Sequence, residues 1–140
     1  MIRFSRDEDY SIILINELAK HYNKRLVPLS EVAKDYVISL YYLRNLANRL
    51  IHAGIIKAVE GKKGGYFLQK DPKKITIGEV LQVFSREPIT ACCSNWNDRS
   101  NCQRNDNYCD TITEWRKINE RFIQKLSSLS LEEFLRHHSH

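Results

Sequence analysis

Four cysteines lie in one short polar stretch of this 140-residue chain. They are Cys92, Cys93, Cys102 and Cys109, and the residues between them are mainly Asn, Asp, Ser and Arg. Cysteines that serve only in packing are usually buried among apolar side chains, so this placement predicts a chemical role. Thiolates bind iron–sulfur clusters, Zn²⁺ and Cu⁺, and three neighbouring thiolates can hold one metal centre.

The spacing of the cysteines favours an iron–sulfur cluster over zinc. Eight residues separate Cys93 from Cys102 and six separate Cys102 from Cys109. Structural zinc sites usually contain two cysteines only about two to four residues apart. Three alternatives remain open, namely a zinc site, reduced thiols with no ligand role, and a disulfide switch between Cys93 and Cys102 or Cys109.

Composition indicates an ordinary soluble domain. The chain is 42% hydrophobic and 28% charged, which is typical of globular proteins. No apolar run approaches the roughly 18 residues of a membrane-spanning helix, and the first ten residues show no signal-peptide pattern. We therefore expect a cytoplasmic protein, in which stable disulfides are uncommon.

The net positive charge lies in the first half of the chain. Residues 1–75 contain 14 Lys and Arg against 8 Asp and Glu, whereas residues 76–140 contain 8 against 9. A basic segment is typical of proteins that bind a polyanion such as DNA.

Local signals predict the elements that must position these groups. Capping boxes at Ser5 and Thr76, a cap at Ser39 and a cap at Ser30 begin four helices, and apolar periodicity predicts a long helix over 110–129. Residues 55–70 read as a β-hairpin with a Gly/Lys turn. Helix, short helix, helix and hairpin is the order of a winged helix-turn-helix, whose second paired helix enters the major groove.

We therefore predict a mainly α fold with a small β-hairpin wing and a long dimerisation helix. Residues 1–75 are expected to form the DNA-binding domain, and residues 76–140 the cluster-binding loop and the dimerisation helix. Apolar residues near heptad spacing mark the seam of that helix: Trp115, Ile118, Phe122, Leu126 and Leu129.

Polar and basic side chains of the third helix and of the hairpin tip are the candidate DNA contacts. Such groups bind base edges or phosphates; the less favoured alternative is that they are surface residues that only keep the protein soluble. The candidates are Ser39, Tyr41, Tyr42, Arg44, Asn45 and Arg49 on the helix, and Lys62, Lys63 and Gly64 at the tip.

The hairpin also carries a family resemblance. With the run Gly64-Gly65-Tyr66-x-Leu68, residues 42–70 resemble bacterial winged-helix transcription regulators of the IscR/NsrR type, an iron–sulfur cluster-sensing family. Residues 9–19, 77–80 and 88–89 also fit the family pattern. The resemblance implies a homodimer that binds a double-stranded DNA operator and holds a 2Fe–2S or 4Fe–4S cluster.

The same resemblance implies a ligand set. Cys93, Cys102 and Cys109 match the family's three cysteines, with Cys92 as the alternative first ligand. Regulators of cluster assembly usually carry a histidine three residues after the last cysteine, where this chain has Ile112.

In relatives that sense nitric oxide, a carboxylate near the N-terminus of the partner subunit supplies the fourth ligand. The matching residue here is Asp9, with Glu8 as the alternative. Two departures from the family pattern, Arg44 in place of Glu and Glu60 in place of a wing Arg, mean that the operator sequence does not transfer.

The predicted function is therefore a homodimeric transcription regulator that senses iron, redox state or nitric oxide through its cluster. No catalytic residues are predicted, because no Ser/His/Asp set, carboxylate pair or phosphate loop occurs in a supporting context. The alternatives are a cluster-free or zinc-bound regulator of the same family, or a cysteine-based redox protein.

Overall fold

The structure is a computed structural model that describes residues 5–84 and 110–136, apart from the side chains of residues 110–113 and 116. Cys92, Cys93, Cys102 and Cys109 all lie outside these residues. The described elements confirm the mainly α fold with one antiparallel hairpin. Their bounds are α1 Arg6–Lys20, α2 Leu29–Tyr36, α3 Leu40–His52, β1 Ile56–Val59, β2 Gly65–Leu68, α4 Ile77–Phe84, α5 Asp110–Ser128 and α6 Leu131–Arg136, with a 3-10 turn over Pro72–Lys74.

Reciprocal capping boxes begin α1 and α6, as predicted for α1. The Ser5 amide donates to Glu8 Oε2 at 2.8 Å, and the Glu8 amide donates to Ser5 Oγ at 3.3 Å. Ser130 and Glu133 make the same pair of bonds, each 3.1 Å long, before α6. These bonds satisfy amides that the first helical turn leaves without backbone acceptors.

Helices α2 and α3 form the helix-turn-helix. The cap predicted at Ser30 is wrong, because Pro28 is the N-cap residue and α2 already begins at Leu29, which is buried. Pro28 explains why the helix starts at Leu29, because its ring fixes φ at −69° and the helix begins at the next residue. Val37 then ends α2 in the left-handed conformation, and Ser39 caps α3 as predicted.

The wing is a hairpin fastened to the helical body. Ile56 pairs with Leu68 and Val59 with Gly65, and Val27 exchanges two backbone hydrogen bonds of 3.0 and 2.8 Å with Tyr66. At the tip, a Cβ on Gly64 would lie 2.0 Å from the Val59 carbonyl oxygen, so only glycine fits there. This tight turn places Lys62 and Lys63 at the end of the β-hairpin.

One buried core runs through both halves of the chain. Leu14, Leu43 and Leu50 from the first half share it with Val80 of α4 and Leu131 of α6. Backbone bonds from Ile77 to Leu129 and from Leu131 to Ile75 join the start of α4 to the start of α6. The functional division at residue 75 stays a prediction, but the two halves are packed as one body.

Helix α5 is held to this body at its C-terminal end. Gly78 of α4 approaches it so closely that a Cβ there would lie 3.0 Å from the Ser127 amide nitrogen. Leu126 and Leu129 pack against the core, whereas Trp115 and Ile118, earlier in the helix, are 46% and 45% exposed. Of the helices that the structure describes, none has the length and apolar character to cross a membrane.

Candidate nucleic-acid interface and metal ligands

The outer face of α3 presents polar side chains to solvent. Its inner face buries Leu43, Leu46, Ala47 and Leu50 at helical spacing, so the residues between them must point outwards. Tyr41 is 75% exposed, and Arg44, Asn45 and Asn48 are exposed as well. Among the described residues, neither Arg44 nor Asn45 has a side-chain hydrogen bond or ion pair. Both are therefore available to a ligand.

Two predicted DNA contacts have partners inside the chain instead. The ring of Tyr42 is half-buried and meets the ring of Tyr10 edge-on, with 5.6 Å between the centroids. The Arg49 guanidinium contacts Asp7 of α1 and both Val83 and Phe84 of α4. The available face of α3 is thus confined to the helix start and its middle turns.

The wing tip adds a second basic surface, at the end of the hairpin whose first strand contacts α3. Lys62 and Lys63 are exposed, and neither makes an ion pair with a described residue. Gly61 adopts a φ of +112° in this turn, a conformation that glycine adopts readily and other residues rarely do. The two ammonium groups are placed to meet phosphates, which lysine binds as a flexible point charge.

The first turn of α1 carries three carboxylates with three different environments. Glu8 is 7% exposed and its carboxylate accepts the Ser5 amide, while Asp7 pairs with Arg49 at 3.3 Å. Asp9 is exposed and has no side-chain partner in the described part of the chain. The Glu8 carboxylate is therefore engaged in the capping box, whereas the Asp9 carboxylate is engaged with no described residue.

The donor set fits an iron–sulfur cluster on chemical grounds, with the residues described here supplying one donor. An unpaired carboxylate can bind iron without losing another bond, and the remaining donors would be thiolates outside the described residues. Within 5–84 and 110–136, no group of three His, Cys, Asp or Glu side chains is close enough to hold a metal ion.

A half-buried acidic group, Glu17 of α1, links α1 to α2. Burial tends to raise the pKa of Glu17, but hydrogen bonds from Lys20 and from the Tyr36 hydroxyl outweigh burial and lower it below its ordinary value. The Tyr36 hydroxyl lies 2.6 Å from Glu17 Oε1. This bond joins the end of α2 to α1 and so positions the turn that precedes α3.

Comparison with known proteins agrees with this arrangement. Residues 4–137 match the model of the Rrf2 family, described as iron-dependent transcriptional regulators. The HTH-type transcriptional regulator IscR of Photorhabdus laumondii is 33% identical over 134 residues, which are 96% of this chain and 79% of that protein.

Solved structures share the fold. A crystal structure from Listeria innocua has a TM-score of 0.82 at 24% identity and covers 99% of this chain and 90% of its own. The IscR of T. potens has a TM-score of 0.78, also at 24% identity, over 99% of this chain and 89% of its own. At this identity, the two structures support the winged-helix architecture alone.

Proposed function

Because the chain belongs to the Rrf2 family of transcription regulators, we propose that it is a homodimer whose affinity for a DNA operator depends on an iron–sulfur cluster. Its relatives are named as regulators, and the chain is a DNA-binding regulator and not an enzyme. The observation that carries the proposal is that α3 exposes polar side chains without described partners and that the wing, whose strand β1 contacts α3, exposes two lysines at its tip. A regulator of transcription works where the chromosome is, so the proposed location is the cytoplasm.

DNA contact is assigned to two surfaces with different tasks. Tyr41, Arg44 and Asn45 on α3 would enter the major groove, where Arg and Asn recognise guanine and adenine edges. Lys62 and Lys63 would bind the backbone next to that groove. Ser39 contributes by capping α3 and fixing its first turn, and Gly64 by shaping the wing tip.

Dimerisation is assigned to the exposed apolar face of α5. Trp115 and Ile118 on this 19-residue helix are nearly half exposed, although apolar side chains of this size are normally covered. A second copy of the same helix would cover them through a seam of near-heptad spacing. Two recognition helices would then meet half-sites about 34 Å apart.

Cluster binding is assigned to Cys93, Cys102 and Cys109 of one subunit, with Cys92 as the alternative first ligand, and to Asp9 of the other. When bound, an iron–sulfur cluster supplies a centre that responds to iron supply, redox state or nitric oxide. The support from the structure is the exposed Asp9 carboxylate, which has no partner among the described residues. Since Asp9 lies on α1 and α1 packs against α3, ligation would connect one subunit's cysteine segment to the other subunit's DNA-binding helices.

Anaerobic purification tests the cofactor assignment. We expect brown protein with visible absorption, iron and acid-labile sulfide, and we expect Cys102→Ser to lose all three. Zinc in place of iron would establish a zinc-bound regulator, and colourless, metal-free protein with full operator affinity would contradict the cluster. A cysteine-based redox protein would keep its activity without Arg44, Lys62 and Lys63, whereas a DNA-binding protein would not.

A further inference from the structure

Arg49 bridges three helices from the last turn of α3. Its Nη1 lies 3.3 Å from Asp7 Oδ2 in the first turn of α1. Its Nη2 donates to the Val83 carbonyl oxygen at 3.0 Å, and its guanidinium carbon stands 4.5 Å from the centre of the Phe84 ring. No other described side chain of α3 makes polar contacts with both α1 and α4.

The partners of Arg49 adjoin the segments that carry the proposed ligands. Asp7 stands two residues before Asp9 on the same helical turn. Val83 and Phe84 are the last two residues of α4, and the stretch with all four cysteines follows α4 in the sequence. One guanidinium therefore contacts both chain segments that lead to the ligands.

The chemistry of these contacts makes them reversible. The bond to the Val83 carbonyl is a single hydrogen bond from an exposed side chain, and such a bond contributes only modestly to stability. The Arg49 and Asp7 side chains are 47% and 39% exposed, and exposed ion pairs contribute little to stability. The bridge can thus open without exposing the buried leucines that hold α3 to the core.

We infer that Arg49 is a positioning residue that transmits the state of the ligand-bearing segments to the recognition helix. This inference rests on the proposed function. With the ligands held together, the ends of α1 and α4 stay in place and Arg49 fixes the C-terminal turn of α3. When the last turn of α4 moves, Arg49 loses its carbonyl acceptor and its aromatic partner together, and α3 loses that restraint.

The test compares Arg49→Gln with wild type in operator affinity, with and without the cluster. The DNA is a duplex selected from a random pool by the wild-type protein under anaerobic conditions. We expect the ratio of the two affinities, at least about fivefold in wild type, to fall close to one in the variant, a change within the usual range of coupling between sites. Cluster content, read from iron, sulfide and absorption, should stay at the wild-type level.

A second readout does not depend on the cluster or on DNA. In cluster-free protein, amide hydrogen exchange in the last turn of α4 should be faster in Arg49→Gln than in wild type, whereas exchange in α2 should be unchanged. Arg25→Gln is the matched control, because Arg25 also pairs with a carboxylate, that of Glu31, but touches neither α3 nor α4. It should leave both the affinity ratio and the exchange at α4 as in wild type.

Each other outcome overturns a defined statement. An unchanged affinity ratio in Arg49→Gln contradicts the inference, and an equal loss of affinity in both states makes Arg49 a direct DNA contact instead. If wild type binds the operator with the same affinity with and without the cluster, the proposed function itself is wrong. If Arg49→Gln does not fold, Phe84→Leu removes the aromatic partner alone and should reduce the ratio in the same direction by a smaller factor.

Discussion

Replacing Lys62 and Lys63 with alanine should reduce the salt dependence of operator binding. Both lysines are exposed at the wing tip, and neither has an ion-pair partner among the described residues. Each phosphate neutralised by a protein adds about 0.9 to the slope of log affinity against log salt concentration. Loss of two lysines from each of two wings therefore lowers the slope by up to about 3.6.

The slope translates into a measurable loss of affinity. With a slope difference of about 3.6, the affinity of wild type should fall roughly 100-fold further than that of the variant between about 50 and about 200 mM salt. Fluorescence anisotropy of a labelled operator, titrated at four or more salt concentrations, measures both quantities. The variant should bind more weakly than wild type at low salt and approach it at high salt.

A second pair of adjacent lysines provides the control. Lys73 and Lys74 are exposed like the wing lysines, but they lie in the 3-10 turn that packs against α6. Their double alanine variant changes the net charge equally and should leave the slope close to that of wild type. Equal slope changes in the two variants would refute the wing as a DNA contact and leave only a general charge effect.

Three further predictions concern Val37, Glu17 and the neighbouring pair Glu8 and Asp9. Val37→Gly should raise the free energy of unfolding by about 0.5–1 kcal/mol, because Val37 is 91% exposed and has a φ of 54° that β-branched residues tolerate poorly. Urea denaturation measures this free energy, and a variant less stable than wild type would contradict the prediction. The pKa of Glu17 is lowered, so the stability that its carboxylate provides is present above the ordinary pKa of 4.5 and is lost as pH falls through the folded-state pKa. The urea midpoints of Glu17→Gln and wild type should therefore converge as pH is lowered from 7 to 3. A constant difference between the midpoints would show that the carboxylate does not provide this stability. Glu8→Ala should lose about 1 kcal/mol of stability and keep its iron content. Asp9→Ala should lose iron, whereas the stability of its cluster-free form should not change. Loss of iron in Glu8→Ala but not in Asp9→Ala would make Glu8 the ligand.

Most of the fold could be predicted because its signals are local. The capping box at Ser5 and the bond from the Glu79 amide to Thr76 Oγ1 fix helix starts through residues three apart, and residue pairs at this spacing are visible in the sequence. Gly54, which follows the C-cap residue of α3, has a φ of +75°, the conformation that a glycine after a helix end usually adopts. The start of α2 was missed because Ser30 is a good N-cap residue by type, while the buried Leu29 and the fixed φ of Pro28 decided the outcome.

The candidate site was only partly predictable, because its decisive contacts join distant residues. Arg49 reads as a surface arginine on the exposed side of α3, yet its partners Asp7 and Val83 are 42 and 34 positions away. The edge-on contact between the rings of Tyr42 and Tyr10 likewise joins distant residues and is not visible in the sequence. Exposure of Arg44 and Asn45, in contrast, follows directly from the buried leucine pattern of the same helix.

Operator affinity of one anaerobic sample, measured before and after removal of its iron, tests the central claim most directly. Iron and sulfide should be present at the start, and the operator affinity should change by at least about fivefold when they are removed. Cys102→Ser should bind as the iron-free wild type does, whether or not iron is supplied. If the starting protein carries a full complement of cluster and its operator affinity is the same before and after iron removal, DNA binding does not depend on the cluster.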